Sequence, residues 1–105
     1  MVKEKKMKFV NFDDPLNRWS LDKTAEVVSK TKLYADSKGY SEVELVEVED
    51  NTWADIANQR IDITITYVKK GHCYRQKLLM LKGEILDGKE FHARFHEFYP
   101  ERSAA

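Results

Sequence analysis

The stretch Arg60-Ile-Asp-Ile-Thr-Ile-Thr-Tyr-Val-Lys-Lys-Gly-His-Cys-Tyr-Arg-Gln-Lys-Leu-Leu-Met-Leu81 decides the fold. In its first half Ile61, Ile63, Ile65 and Tyr67 alternate with Asp62, Thr64 and Thr66. Successive strand side chains leave opposite faces of the pleat, so this period of two predicts a strand with one buried face. Lys69-Lys70-Gly71-His72 then supplies a tight turn, with a glycine free to take a positive φ. A two-residue loop at Lys70-Gly71 and a four-residue loop from Lys69 to His72 give the same register. Tyr67 faces Tyr74, Ile65 faces Gln76, Ile63 faces Leu78 and Ile61 faces Met80. A slip of one residue would turn one strand's apolar set to the wrong side, so the pattern specifies the register strongly. Gln76 is the lone polar member of that row, and the sequence offers no reason for it.

Outward from the hairpin, residues 42–49 (Glu-Val-Glu-Leu-Val-Glu-Val-Glu) alternate with a slip: Val43 and Leu45 share one face, Val46 and Val48 the other. A β-bulge near Leu45-Val46 would bring all four to one side. In residues 51–58, Trp53, Ile56 and Ala57 have helical spacing, which predicts one short helical turn. Upstream, Leu21, Thr24, Ala25, Val28, Thr31 and Ala35 form one side of a helical wheel, interrupted by Lys32. Ser20 reads as the N-cap and Gly39-Tyr40 as a left-handed C-cap, which predicts a helix over 21–38. Residues 7–12 read as a short first strand ended by Asp13-Asp14-Pro15. Downstream, Asp87-Gly88 between extended residues predicts a second hairpin that puts Phe91, Ala93 and Phe95 on the face of Leu78 and Met80. The rival is a helix over 88–99 with Phe91, Phe95 and Phe98 as its stripe. Aromatics are poor helix formers, which favours the strand. The fold predicted is α+β: one main helix on a curled antiparallel sheet of four to five strands, in the order β-α-β-β-β-β. Residues 1–105 read as a single domain with loose ends at about 1–6 and 101–105.

Composition bounds the function. The 105 residues carry 18 basic and 18 acidic side chains, so no net charge draws the chain as a whole to a polyanion. Cys73 is the only cysteine, which leaves no intrachain disulfide and suits a reducing compartment. The charged opening lacks a signal peptide's apolar run, and no stretch approaches the ~20 apolar residues of a membrane span, so a cytoplasmic location without membrane attachment is expected. His72, Cys73, His92 and His96 lie close in sequence, but nothing fixes a third ligand, and neither a metal nor another cofactor is expected. No serine sits in a strand-to-helix elbow, and the four glycines, at 39, 71, 83 and 88, make no phosphate-cradling loop. The balance leans against an enzyme.

Two surfaces remain. With Ile61, Ile63, Leu78 and Met80 facing the helix, Leu79 and Leu81 must face away from it, beside Arg60 and Asp62. An apolar pair on the outer face of a sheet is either covered within the chain, by Val46, Val48 or a C-terminal aromatic, or is an interface. Lys69, Lys70, Arg75 and Lys77 surround Tyr67 and Tyr74, a mixture that suits nucleic acid, although acidic Glu42, Glu44, Glu47 and Glu49 are expected to pair across with Arg75 and Lys77. Trp53 and Trp19 sit at element ends and read as caps on the core; an exposed one would be an interface anchor. The function expected is a small non-catalytic binding or regulatory module working through protein contact, as a homodimer or with a protein partner. One alternative is nucleic-acid binding through the basic hairpin 69–77. The other is an enzyme or ligand-binding protein with a pocket between helix and sheet.

Overall fold

The computed structural model describes residues 21–100. Helix α1 spans Leu21–Ser37, and four strands follow: β1 Ser41–Asp50, β2 Ile61–Lys69, β3 His72–Leu81 and β4 Glu84–Leu86. Two short helices, α2 Gly88–Ala93 and α3 Phe95–Phe98, close the described chain. The sheet is an open antiparallel meander in the order β1-β2-β3-β4. The strand expected at 7–12, the Ser20 cap and Trp19 lie outside the described residues.

The β2–β3 register is the expected one, with Tyr67 opposite Tyr74, Ile65 opposite Gln76, Ile63 opposite Leu78 and Ile61 opposite Met80. Its turn is Lys70-Gly71, with φ of 51° and 79°. Two positive φ values make a type I′ turn, whose twist matches that of the strands it joins. β1 carries the expected bulge: Leu45 faces Ile65, Glu47 faces Thr64, and Val46 is the extra residue between them. Val43, Leu45 and Val48 reach the core, while Val46 stays half-buried. A second irregularity lies between Ser41 and Glu44, where Glu42 takes a φ of 50°.

The core between α1 and the sheet joins Val27 and Ala35 to Leu45, Ile61, Ile63, Ile65, Leu78 and Met80. The helix is rotated from the expected face. Val27, Thr31 and Ala35 are buried, Val28 is half-buried and Ala25 is exposed. The polar side chains flanking the stripe account for the rotation. Lys30 Nζ donates to the Gly83 carbonyl at 2.6 Å, and the Tyr34 hydroxyl donates to Glu90 at 3.1 Å. Lys38 Nζ pairs with Glu90 at 3.3 Å. These contacts tie α1 to the β3–β4 turn and to the start of α2, which turns Lys32 outward. The C-terminus follows the expected motif: Gly39 has φ 75°, its N–H donates to Asp36, and the N–H of Tyr40 donates to Ala35. That is a Schellman cap.

The C-terminal quarter corrects the strand expected beyond Asp87-Gly88. The last hairpin turn is Lys82-Gly83, a second Lys-Gly dipeptide with φ of 52° and 78°. It leaves only the short β4, pairing Leu79 with Leu86 and Leu81 with Glu84. Asp87 is the N-cap of α2: its carboxylate accepts from the Glu90 N–H at 2.7 Å, and Glu90 accepts from the Asp87 N–H at 2.9 Å. This reciprocal capping box satisfies two amides that a helix start would otherwise leave unpaired. It outcompetes the turn reading of Asp-Gly. The described order is therefore α-β-β-β-β-α-α.

Gln76 also finds its reason. Tyr40, Tyr67 and Tyr74 stack in a row, with centroids 3.6 Å apart for the first pair and 5.3 Å for the second. The hydroxyls of Tyr40 and Tyr67 both donate to Gln76 Oε1, at 3.2 and 3.0 Å. An acceptor is what two neighbouring partly buried phenols require. Gln76→Leu would complete the apolar row and orphan both hydroxyls. It should lower stability by about 1–3 kcal/mol in urea unfolding, although it raises the row's hydrophobicity.

Candidate contact surfaces

Leu81 and Leu79 do point away from α1, as the register demands, but the chain covers them. Leu81 is fully buried with Leu86 and Phe98, and half-buried Leu79, Phe91 and Tyr99 pack against this cluster. α2 packs on β3 and β4, which places a second layer over the outer face at this end of the sheet. Phe91, Phe95 and Tyr99 form an aromatic knot, with Phe95 and Tyr99 stacked at 4.9 Å and Phe91 edge-on to Phe95 at 5.6 Å. Arg94, where α2 breaks, pairs with Glu84 and with Glu97 and lies 5.3 Å from the Phe98 ring. The exposed apolar pair expected for a two-fold interface is thus reduced to a partly covered Leu79. Leu79 and Leu86 line an outer groove of about 400 Å³ that also meets Glu49, Arg60, Asp62 and Lys77.

The large apolar side chains left most exposed are elsewhere, Leu33 on α1 at 67% and two together in one loop. In the connection between β1 and β2, Trp53 is 78% exposed and Ile56 is 74% exposed. The turn expected there is a single one, in which the Asp55 N–H donates to the Asn51 carbonyl at 3.1 Å, and a second turn follows over 56–59. The positions expected to turn inward are taken by polar groups instead. Asn58, buried, donates through Nδ2 to the Asp55 carboxylate at 3.1 Å and to the Phe98 carbonyl at 3.2 Å. The Tyr99 hydroxyl donates to Asp55 as well. The Asn58 carbonyl accepts from the Lys82 N–H, and the Asn51 N–H donates to the Arg60 carbonyl, which joins the two ends of the loop. With Asp55 and Asn58 clasping α3 and the β3–β4 turn, Trp53 and Ile56 have nowhere to go but outward. Trp53 therefore does not cap the core.

The electrostatics of the clasp follow from its bonds. Burial pushes the Asp55 carboxyl upward, but the hydrogen bonds from Tyr99 and Asn58 and the charge of Arg60 outweigh it and hold the group below its ordinary value of 3.8. Burial and the neighbouring Asp55 carboxylate push the Tyr99 phenol up. Arg60, partly desolvated, is kept charged by Asp62, which it meets at 3.1 Å.

The basic residues lie on the β2–β3 hairpin as expected. Lys69 Nζ sits 5.5 Å from the Tyr40 ring, Lys70 is in the turn, and Arg75 and Lys77 are exposed. Among the described residues no ion pair joins Arg75 or Lys77 to a β1 carboxylate. β2 intervenes, so Glu47, Thr64 and Lys77 form one row and Glu44, Thr66 and Arg75 another. β1 and β3 are two strand spacings apart, about 10 Å. Thr64, expected on the surface of that row, is buried between the longer side chains.

His72 and Cys73 are exposed beside the turn, and His92 and His96 are exposed on α2 and α3. Among the described residues no group of three or more His, Cys, Asp or Glu side chains could hold a metal. The space between α1 and the sheet is filled by core side chains, with Tyr67 buried there, Tyr74 45% exposed and Phe95 on the opposite face. A hollow of about 320 Å³ lies at its edge, against Glu26, Lys30, Gln59 and Lys82. No helix among the described residues is long and apolar enough to cross a membrane. No protein family, curated protein or solved structure matches the chain. Two features were readable beforehand: the repeated Lys-Gly pair, and Asp87-x-x-Glu90 as a capping box. The outward Trp53 was not, because it depends on Asn58 and Asp55 finding α3.

Two outcomes are expected. Leu81→Ala should cost about 2–5 kcal/mol in chemical unfolding, as a core truncation, and leave the molecular mass by light scattering unchanged. The clasp should depend on acid. A carboxyl with a lowered folded pKa contributes stability above its unfolded pKa and loses it as pH falls through the folded value. Native protein should therefore exceed Asp55→Asn in stability at neutral pH, and the gap should close below about pH 4 in a Tm-versus-pH series.

Proposed function

We propose that this protein is a non-catalytic binding module that works through protein contact, with Trp53 and Ile56 as its anchor residues. The observation that carries this reading is the exposure of both large apolar side chains on a loop that is hydrogen-bonded at both ends and clasped in the middle. Free apolar surface on an ordered loop costs no ordering entropy when it is covered, and tryptophan is the residue most enriched among interface anchors. The balanced charge and the filled space between α1 and the sheet fit a module that binds by surface. The simplest partner is a second copy of the chain, because a two-fold axis lets one patch cover itself.

Light scattering over a concentration series tests this. Native protein should rise from the 12.3 kDa protomer toward twice that mass. Trp53→Ala combined with Ile56→Ser should stay at the protomer mass with a nearly unchanged Tm, since exposed substitutions seldom alter stability by more than ~0.5 kcal/mol. A native chain that remains a protomer at every concentration would remove self-association. A double variant that associates like native would remove this loop as the contact.

A further inference from the structure

We propose that the edge of β3 from His72 to Lys77 is a strand-addition site for an extended acidic segment of a protein partner, with carboxylates at alternate positions. β4 pairs with β3 only from Leu79 to Leu81, and after Leu86 the chain leaves the sheet for the α2 cap. Among the described residues no strand lies beside His72–Lys77 on that side. The two-residue turn makes Lys69 and His72 a hydrogen-bonded pair, so the even-numbered residues of β3 direct their amides and carbonyls to β2. The odd-numbered ones point the other way. Leu79 and Leu81 meet β4 in this manner, and Cys73, Arg75 and Lys77 continue the same ladder outward with exposed side chains. An incoming strand would extend a ladder already begun.

Charge selects the occupant. From Thr66 to Lys82 the chain holds Lys69, Lys70, Arg75, Lys77 and Lys82 and no carboxylate, and the acids of β1 are two strands away. Side chains of an added strand stand beside Arg75 and Lys77 on the outer face at every second position. The residues between them fall on the inner face, beside Tyr74, the half-open end of the tyrosine stack. The matching segment alternates carboxylate and apolar residues. A second copy of this edge would set Arg75 and Lys77 against their own kind, so the charges that block self-pairing also choose an acidic partner. The edge lies at the turn end of the hairpin and the Trp53 loop at the other, so either surface can fail without the other.

The test uses the full chain, ¹⁵N-labelled, with an end-capped hexapeptide alternating Glu and Val and its Lys-Val counterpart. The Glu-Val peptide should slow amide exchange at Cys73, Arg75 and Lys77, leave His72, Tyr74 and Gln76 little changed, and weaken as salt rises. The Lys-Val peptide should not bind. Arg75→Glu with Lys77→Glu should weaken the Glu-Val peptide by roughly tenfold and admit the Lys-Val one. Odd-numbered amides already protected in the free protein would mean that the chain covers its own edge, which overturns the proposal. So would amides unmoved by millimolar Glu-Val peptide, a double variant that binds it unchanged, or a single-stranded oligonucleotide that protects the same amides equally.

Discussion

The β2–β3 hairpin constrains everything else described. Its type I′ turn at Lys70-Gly71 fixes a register in which one row of side chains is almost wholly apolar, and that row is the floor on which α1 sits. Because strand side chains alternate strictly, choosing the inner row also chooses the outer one. Leu79 and Leu81 are sent to the far face by the same decision that buries Leu78 and Met80. The register also puts Gln76 where two tyrosine hydroxyls converge, so a polar residue in an apolar row stabilises it.

The C-terminal segment answers the exposure that this register creates. Asp87 and Glu90 start a helix at the point where β4 ends, and the chain folds back so that Phe98 covers Leu81 and Leu86. The outcome is uneven layering. Helices lie on both faces near β4, while the hairpin tip from His72 to Arg75 stands exposed. The brevity of β4 follows from the early cap, and β4 therefore pairs with β3 only from Leu79 to Leu81. Among the described residues, cover at one end of the sheet thus goes with an unpaired β3 edge at the other.

Polar bonds decide the remaining surface. The clasp of Asp55, Asn58 and Tyr99 holds the β1–β2 connection against α3, with Trp53 left on the outside. Each bond is modest in net terms, about 1 kcal/mol. Leaving buried Asn58 without partners would cost more, which gives the loop one favoured conformation. Strand order acts similarly on charge. The threonines of β2 separate the acidic and basic strands, so Arg75 and Lys77 are not neutralised within the sheet as adjacent strands would have allowed.

The amino-acid sequence by itself determined those parts that rest on local periodicity and local dihedral preference. These are the alternation of Ile61 to Tyr67, the Lys70-Gly71 turn, the bulge at Val46, and the helix ended by Gly39. In each case the deciding groups lie within a few residues of one another, so the pattern is written in the order of the residues. Tertiary structure decided what depends on distant partners. The helix face turned to Val27 because Lys30 and Tyr34 reach groups more than 50 residues away. Residues beyond Asp87 became helix because a capping box and the burial of Phe98 together outweigh a turn dipeptide that is equally legible. Trp53 faces outward because Asn58 bonds a carbonyl 40 residues on. Hydrophobic pattern states which side chains need burial; which neighbour buries them is settled only when the layers meet.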